Sequence, residues 1–183
     1  MQITPEIDKR ADEIIAEYPK KKSAAMMLMH LMQETFGFFD DDAIKYIAGK
    51  LSIEPVEVYG MMSFYPMFTK EKPARIHIKV CRTLSCALAG SINLADAISK
   101  ELDMPINSTK GIYTLEFVEC LGNCVKAPNV QVNDKLFDSI TPDKVGKFLE
   151  QIKAMDESGE LKPATMHDAP QGSGDFNNPA YKG

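Results

Sequence analysis

Four cysteines stand in two close pairs, Cys81-x4-Cys86 and, 33 residues later, Cys120-x3-Cys124. Each pair follows directly on a run with the period-2 alternation of a strand. Ala74, Ile76, Ile78 and Val80 alternate with Arg75, His77 and Lys79 up to Cys81, and the run IYTLEFVE ends at Cys120. Between them a helical stretch from Ala87 to Leu102 and a loop from Met104 to Gly111 are expected, and strand, helix, strand is a crossover unit. Two such strands in one sheet deliver both pairs to the same end, on neighbouring loops around one small volume. Few folds meet that requirement.

The N-terminus carries Glu6, Asp8, Lys9, Arg10, Asp12 and Glu13 where an export signal would be apolar. The longest apolar segment, Ala24 to Met32, is interrupted by His30 and falls short of the roughly 20 residues needed to cross a bilayer. A soluble, cytosolic protein is expected, and cysteines in that compartment hold metal or do redox chemistry more often than they build disulfides. Four thiolates suit a 2Fe-2S centre, with two Cys on each iron. They also suit one tetrahedral Zn, whose usual knuckles have two intervening residues, so spacers of four and three fit a wider cluster better. A thiol-disulfide catalyst is the third reading, although it normally relies on C-x-x-C.

The remaining sequence organises the chain around this centre. From Thr4 to Phe68 the apolar residues recur at helical spacing, punctuated by Pro19, Gly37, Pro55 and Pro66. Helices are predicted from Thr4 to Tyr18, from a Ser23 cap through Thr35, from Asp40 or Asp41 to Leu51, and from Glu54 onward. After Cys124, Pro128 precedes a short strand NVQV, Asn133 and Asp134 turn into KLF, and Thr141 with Pro142 opens a last helix to Ala154. The expected class is α+β: an N-terminal helical bundle over 1–73, then an α/β domain with a small mixed sheet over 74–155. Residues 156–183 read as an extended or disordered tail.

Composition excludes several functions. The chain is 44% hydrophobic and 26% charged with a net charge of -5, which describes an ordinary folded protein. Nucleic acid is not an expected partner, because no cluster of Lys and Arg answers a phosphate backbone. No G-x-G-x-x-G follows a strand and no G-x-x-x-x-G-K-[ST] occurs, so the chain has no recognisable dinucleotide or phosphate site of its own and electrons must come from another protein. Met26, Met27, Met29 and Met32 read as adaptable core, and Met61, Met62, Phe64, Tyr65, Met67 and Phe68 as core that also covers an interface. His30, His77 and His167 lack ligand spacing. Asp40 to Asp42 read as a helix cap and Lys20 to Lys22 as a solvated surface. Thr83, Ser85 and the N-H groups near Gly122 are placed to donate hydrogen bonds to sulfur.

The segments VCRTLSCALAG (Val80 to Gly90) and ECLGNCVKAPNVQVND (Glu119 to Asp134) resemble the cluster loops of the thioredoxin-like 2Fe-2S ferredoxins. VYGMMSFYPMF (Val58 to Phe68) is similar to the region before the cluster domain in the E-type subunit family of NADH-quinone oxidoreductase. Asn123 stands where a small residue is more usual. The resemblance implies a thioredoxin-like domain behind a helical bundle, with Cys81, Cys86, Cys120 and Cys124 as ligands of one 2Fe-2S cluster. It further implies an electron-transfer subunit of an NADH dehydrogenase module, peripheral on the cytoplasmic arm of a membrane-bound complex. FMN and NADH would lie only on a partner, the F-type flavoprotein subunit, beside a larger iron-sulfur subunit. The equivalent subunit of an NAD-linked hydrogenase or formate dehydrogenase is the alternative, and a zinc-stabilised interaction module is the alternative of a different class.

Overall fold

The protein is represented by a computed structural model that describes residues 2–65 and 67–162. It divides into two compact units between Pro73 and Ala74. Among the described residues no helix is long and apolar enough to cross a membrane.

The first unit is helical. α1 (Pro5–Ala16) starts where the Thr4 hydroxyl accepts the Ile7 N–H, with Pro5 at the first position and Glu6 and Asp8 in the first turn. It ends short of Tyr18. Ser23 does not cap the next helix: it lies inside a 3-10 turn, Lys21–Ala24, from which α2 (Ala25–Phe36) continues. Gly37 ends α2 at φ 82°, a left-handed conformation natural to glycine. α3 (Asp41–Leu51) is capped by the Asp40 carboxylate, which accepts the Ala43 N–H at 2.8 Å. α4 (Pro55–Phe64) opens with a reciprocal cap between Glu54 and Glu57.

Leu28, Met29 and Met32 of α2 are fully buried with Phe39, Ile47 and Val58. Each such side chain contributes about 1.5–3 kcal/mol by leaving water. Met29 and Met32 are therefore core, while the segment after Val58 is divided: Met62 and Phe68 are buried, Phe64 and Met67 exposed.

The second unit contains β1 (Ile76–Cys81), α5 (Leu84–Leu88), α6 (Ser91–Glu101), β2 (Ser108–Lys110), β3 (Tyr113–Val118), β4 (Asn129–Val132), β5 (Lys135–Asp138) and α7 (Val145–Glu157). The sheet order is β2-β3-β1-β4-β5. β1 and β3 are parallel, as the crossover requires, and the other pairings are antiparallel. Ile76, Ile78 and Val80 pack with Leu115, Val130 and Val132 against α6 and α7, which bury Leu94, Ile98, Phe148 and Ile152. Period 2 in the strands and period 3.6 in the helices thus meet in one core.

Three elements of this second unit differ from expectation. The helical stretch before Leu102 is two helices, because Gly90 at φ 91° breaks the chain between them. The loop before Gly111 contains β2, which closes a hairpin on β3. The tail expected from Asp156 begins later: α7 reaches Glu157, Arg75 Nε lies 2.7 Å from Asp156 Oδ2, and Leu161 enters the core. Asp134 holds this segment, donating its N–H to the Lys162 carbonyl and accepting the Lys162 N–H on Oδ1. The remainder of the predicted tail, 163–183, lies outside the described residues.

Candidate metal centre

β1 terminates in Cys81, whose strand partner is Val118, the last residue of β3. The Arg82 N–H extends the ladder to the Val118 carbonyl at 2.9 Å. Both chains then leave the same end of two adjacent parallel strands, and Cys120 follows β3 by two residues. α5 carries Cys86 back beneath this edge, its N–H bonded to the Thr83 carbonyl at 2.9 Å.

All four cysteines are free. Cys81 and Cys86 are 1% and 2% exposed, whereas Cys120 and Cys124 are exposed. The sulfurs of Cys120 and Cys124 lie 3.5 Å apart, with the Gly122 N–H donating to Cys120 Sγ at 3.4 Å. Gly122 has φ 82°, the left-handed turn that aims this N–H inward at little steric cost. Among the described residues no group of three or more His, Cys, Asp or Glu side chains is gathered in the manner of a single-ion site. The thiols are two pairs.

Their electrostatics differ. Burial pushes the Cys81 thiol up, but N–H groups of Thr83 and Leu121 and the Cys86 thiol outweigh it and hold Cys81 below the usual thiol range. Burial dominates at Cys86 and keeps its thiol high. Cys124 is raised by the hydrogen bond and charge of Cys120, and also by the charges of Cys86 and Cys81. Thiols that mutually oppose ionisation are relieved by a cation, since the thiolate is the form that binds metal.

Sequence reasoning missed Asn129. Its side chain is buried at the start of β4, and Nδ2 donates to Cys86 Sγ at 3.4 Å and to the Asn123 carbonyl at 2.8 Å. Asn123 Nδ2 donates back to Asn129 Oδ1 at 3.0 Å, which fixes the amide's orientation and gives the unusual Asn123 a role. The available signal was an asparagine opening a short apolar strand, directly after Pro128, whose peptide bond with Ala127 is cis. Glu119 was also missed; it pairs with Arg82 on the other loop. Thr83 donates to the Cys81 sulfur through its backbone N–H, while its hydroxyl donates to Glu119 and accepts from the Cys81 thiol. Ser85 is exposed.

The other residues singled out by the sequence lie elsewhere. His30 packs on Phe68 with ring centroids 5.1 Å apart, and His77 bonds Glu116 at 2.7 Å. His167 lies outside the described residues. Lys22 pairs with Glu57.

Donor chemistry fits a thiolate-bound metal group. Soft sulfur ligands select Zn, Cu(I) or iron-sulfur clusters, and the amide donors on the sulfurs suit a centre that gains negative charge. An α/β domain with two thiol pairs at one end of its parallel strands is the class of protein that this fold and site define. The family model for the thioredoxin-like [2Fe-2S] ferredoxin matches residues 11–153, and the chain belongs to that family. It is 36% identical over 148 residues to the E-type subunit of NADH-quinone oxidoreductase from Rickettsia conorii, covering 78% of this chain and 89% of that protein. The corresponding protein of Rickettsia bellii is 33% identical over 149 residues, with the same coverage of each chain. Among solved structures, a chain of the NAD+-reducing [NiFe]-hydrogenase in the air-oxidized state is similar in fold, with a TM-score of 0.56 at 20% identity. That likeness covers 70% of this chain and 23% of the hydrogenase chain.

Proposed function

We propose that Cys81, Cys86, Cys120 and Cys124 ligate one 2Fe-2S cluster. The observation that carries this reading is the delivery of two thiol pairs, one buried and one exposed, to the same end of the parallel strands β1 and β3. A pair on each loop matches two Cys on each iron. When bound, such a cluster supplies a one-electron couple. Cys81 and Cys86 then shield one side from water, Cys120 and Cys124 face solvent, and Asn129 and Gly122 hold hydrogen bonds on the sulfurs.

The chain is an electron-transfer subunit of NADH:quinone oxidoreductase in this reading, supported by the relatives of that name over most of their length. It makes and breaks no substrate bond itself. Electrons exchange with FMN on a flavoprotein partner that also binds NADH, next to a larger iron-sulfur subunit, in the peripheral cytoplasmic arm. Residues 1–73 form the helical domain, and the cluster domain starts at 74 and runs through the core residue Leu161. Leu84, Leu88 and Val125, exposed by 72%, 81% and 95%, flank the ligands with the kind of apolar surface a partner covers.

Iron and acid-labile sulfide in anaerobically purified protein, with EPR of the dithionite-reduced sample, test the reading. About two of each per chain and a spin-one-half signal are expected from the cluster's composition. Stoichiometric zinc without sulfide after attempted reconstitution overturns it. Cys-to-Ser substitution at each position tests the ligands one by one, and full occupancy in any variant removes that residue from the set.

A further inference from the structure

The Glu119 carboxylate joins the two cysteine-bearing loops. Arg82, directly after Cys81, reaches it through Nε at 3.0 Å and Nη2 at 2.9 Å, both on Oε1. Oε2 accepts the Thr83 hydroxyl proton at 3.3 Å. The same Thr83 oxygen lies 3.8 Å from Cys81 Sγ and accepts from that thiol. Cys81 is the terminus of this chain of contacts.

A threonine hydroxyl has one proton and two lone pairs. While Glu119 takes the proton, an oxygen lone pair faces the Cys81 sulfur. As a metal-bound thiolate Cys81 has no proton to give, so the hydroxyl can stabilise added negative charge there only with the one proton that Glu119 competes for. Arg82 and Glu119 are each 56% exposed at the side chain, and such a pair contributes only about 0–1 kcal/mol to folding. Its stronger effect is on where the Thr83 proton points.

We propose that Glu119, held by Arg82, turns the Thr83 hydroxyl away from Cys81 and so keeps the electron affinity of the centre low. Arg82, Glu119 and Thr83 are positioning residues acting through the Cys81 sulfur. The inference rests on Cys81 being a ligand of the redox centre.

Glu119→Gln tests it. Glutamine keeps an oxygen for Arg82 but presents an N–H2 to Thr83, releasing the hydroxyl proton to the sulfur. An EPR-monitored redox titration of the reconstituted full chain should show an upward shift in midpoint potential. At the wild-type midpoint the reduced-to-oxidised ratio should rise by about tenfold, the scale of one hydrogen bond to a charged acceptor. Removing a negative charge also raises the potential, so the same substitution is made in a Thr83→Val background. The proposal expects a markedly smaller shift there, and little change from Thr83→Val alone. An equal shift in both backgrounds, or none, overturns it. Should Glu119→Gln not retain iron, Arg82→Gln replaces it, and the part of its shift that disappears with Thr83→Val must be upward. Wild-type protein without iron and sulfide overturns the ligand reading beneath the proposal, a failure visible before any titration.

Discussion

The two cysteine loops lie at one end of one sheet, yet they are built differently. Cys81 is the last residue of a central strand and Cys86 lies in a short helix, and both are shielded by the packed unit behind them. Cys120 and Cys124 occupy an irregular loop whose turn depends on Gly122, and both face solvent. The buried pair forms a rigid, dry side and the exposed pair an accessible side of the proposed cluster site. Burial lowers the local dielectric and exposure shortens the path to a partner, so with the proposed cluster bound the asymmetry would separate setting the potential from passing the electron.

The largest expected effect tests whether the rigid side depends on the core. Ile78 is fully buried in β1, three residues before Cys81. Ile78→Ala should cost about 2–5 kcal/mol of unfolding free energy in a denaturant titration. Val125, 95% exposed beside Cys124, should change it by less than about 0.5 kcal/mol when replaced by alanine. Comparable losses at both positions would remove the contrast.

Thiol labelling of the cluster-free chain should show the same asymmetry. Iodoacetamide is expected to modify Cys120 and Cys124 first, with Cys81 and Cys86 slower by roughly a hundredfold, the factor set by a local opening cost of about 2.7 kcal/mol. The lowered thiol of Cys81 favours reaction, but a buried sulfur must first be uncovered. Peptide mass spectrometry over a time course distinguishes the sites, and simultaneous labelling of all four would refute the argument.

Asn129 links the sides and carries a smaller effect. It gives one amide proton to Cys86 and the other to the Asn123 carbonyl, so the exposed loop helps position a donor on the buried sulfur. Asn129→Ala should lower the midpoint potential of the reconstituted protein in an EPR-monitored titration. A net hydrogen bond of about 0.5–1.5 kcal/mol corresponds to roughly 20–65 mV for one electron. An unchanged potential would show that the 3.4 Å contact has no electronic weight.

Local patterns announced the scaffold of this asymmetry but not its wiring. Alternation up to Cys81 and Cys120 identified the parallel strands, because one face of each is buried against helices and must repeat every second residue. β2 escaped notice because a three-residue edge strand such as Ser108–Lys110 has too few positions to show a period. Gly90 broke a helix that its apolar spacing would have carried through. Delivery of both cysteine pairs to one end of the sheet was legible through topology. Asn129 and Glu119 were not, since their meaning comes from Cys86 and Arg82, which are 43 and 37 residues distant in sequence.

The smallest effect concerns the strands that carry both loops. His77 and Glu116 stand four residues before Cys81 and Cys120, and their 2.7 Å hydrogen bond crosses between β1 and β3. Burial holds the His77 imidazole below its ordinary value of 6.5, although Glu116 opposes the shift. Burial pushes the Glu116 carboxyl up, but the His77 hydrogen bond leaves it below its ordinary 4.5. A neutral imidazole donating from Nε2 to a carboxylate satisfies both directions. Because the unfolded His77 binds its proton at a higher pH than the folded one, stability present at neutral pH declines as the pH falls below 6.5 through the folded value. Glu116 adds loss of the same sign below 4.5. His30, also lowered by burial, contributes a parallel decline. Unfolding free energies measured from pH 7 to 5 should therefore fall in the wild type and fall less in His77→Gln, with the residue of the slope left to His30. An unaltered slope would mean that the bond between the strands does not govern their response to acid, and that the two loops are held in place by the core behind them.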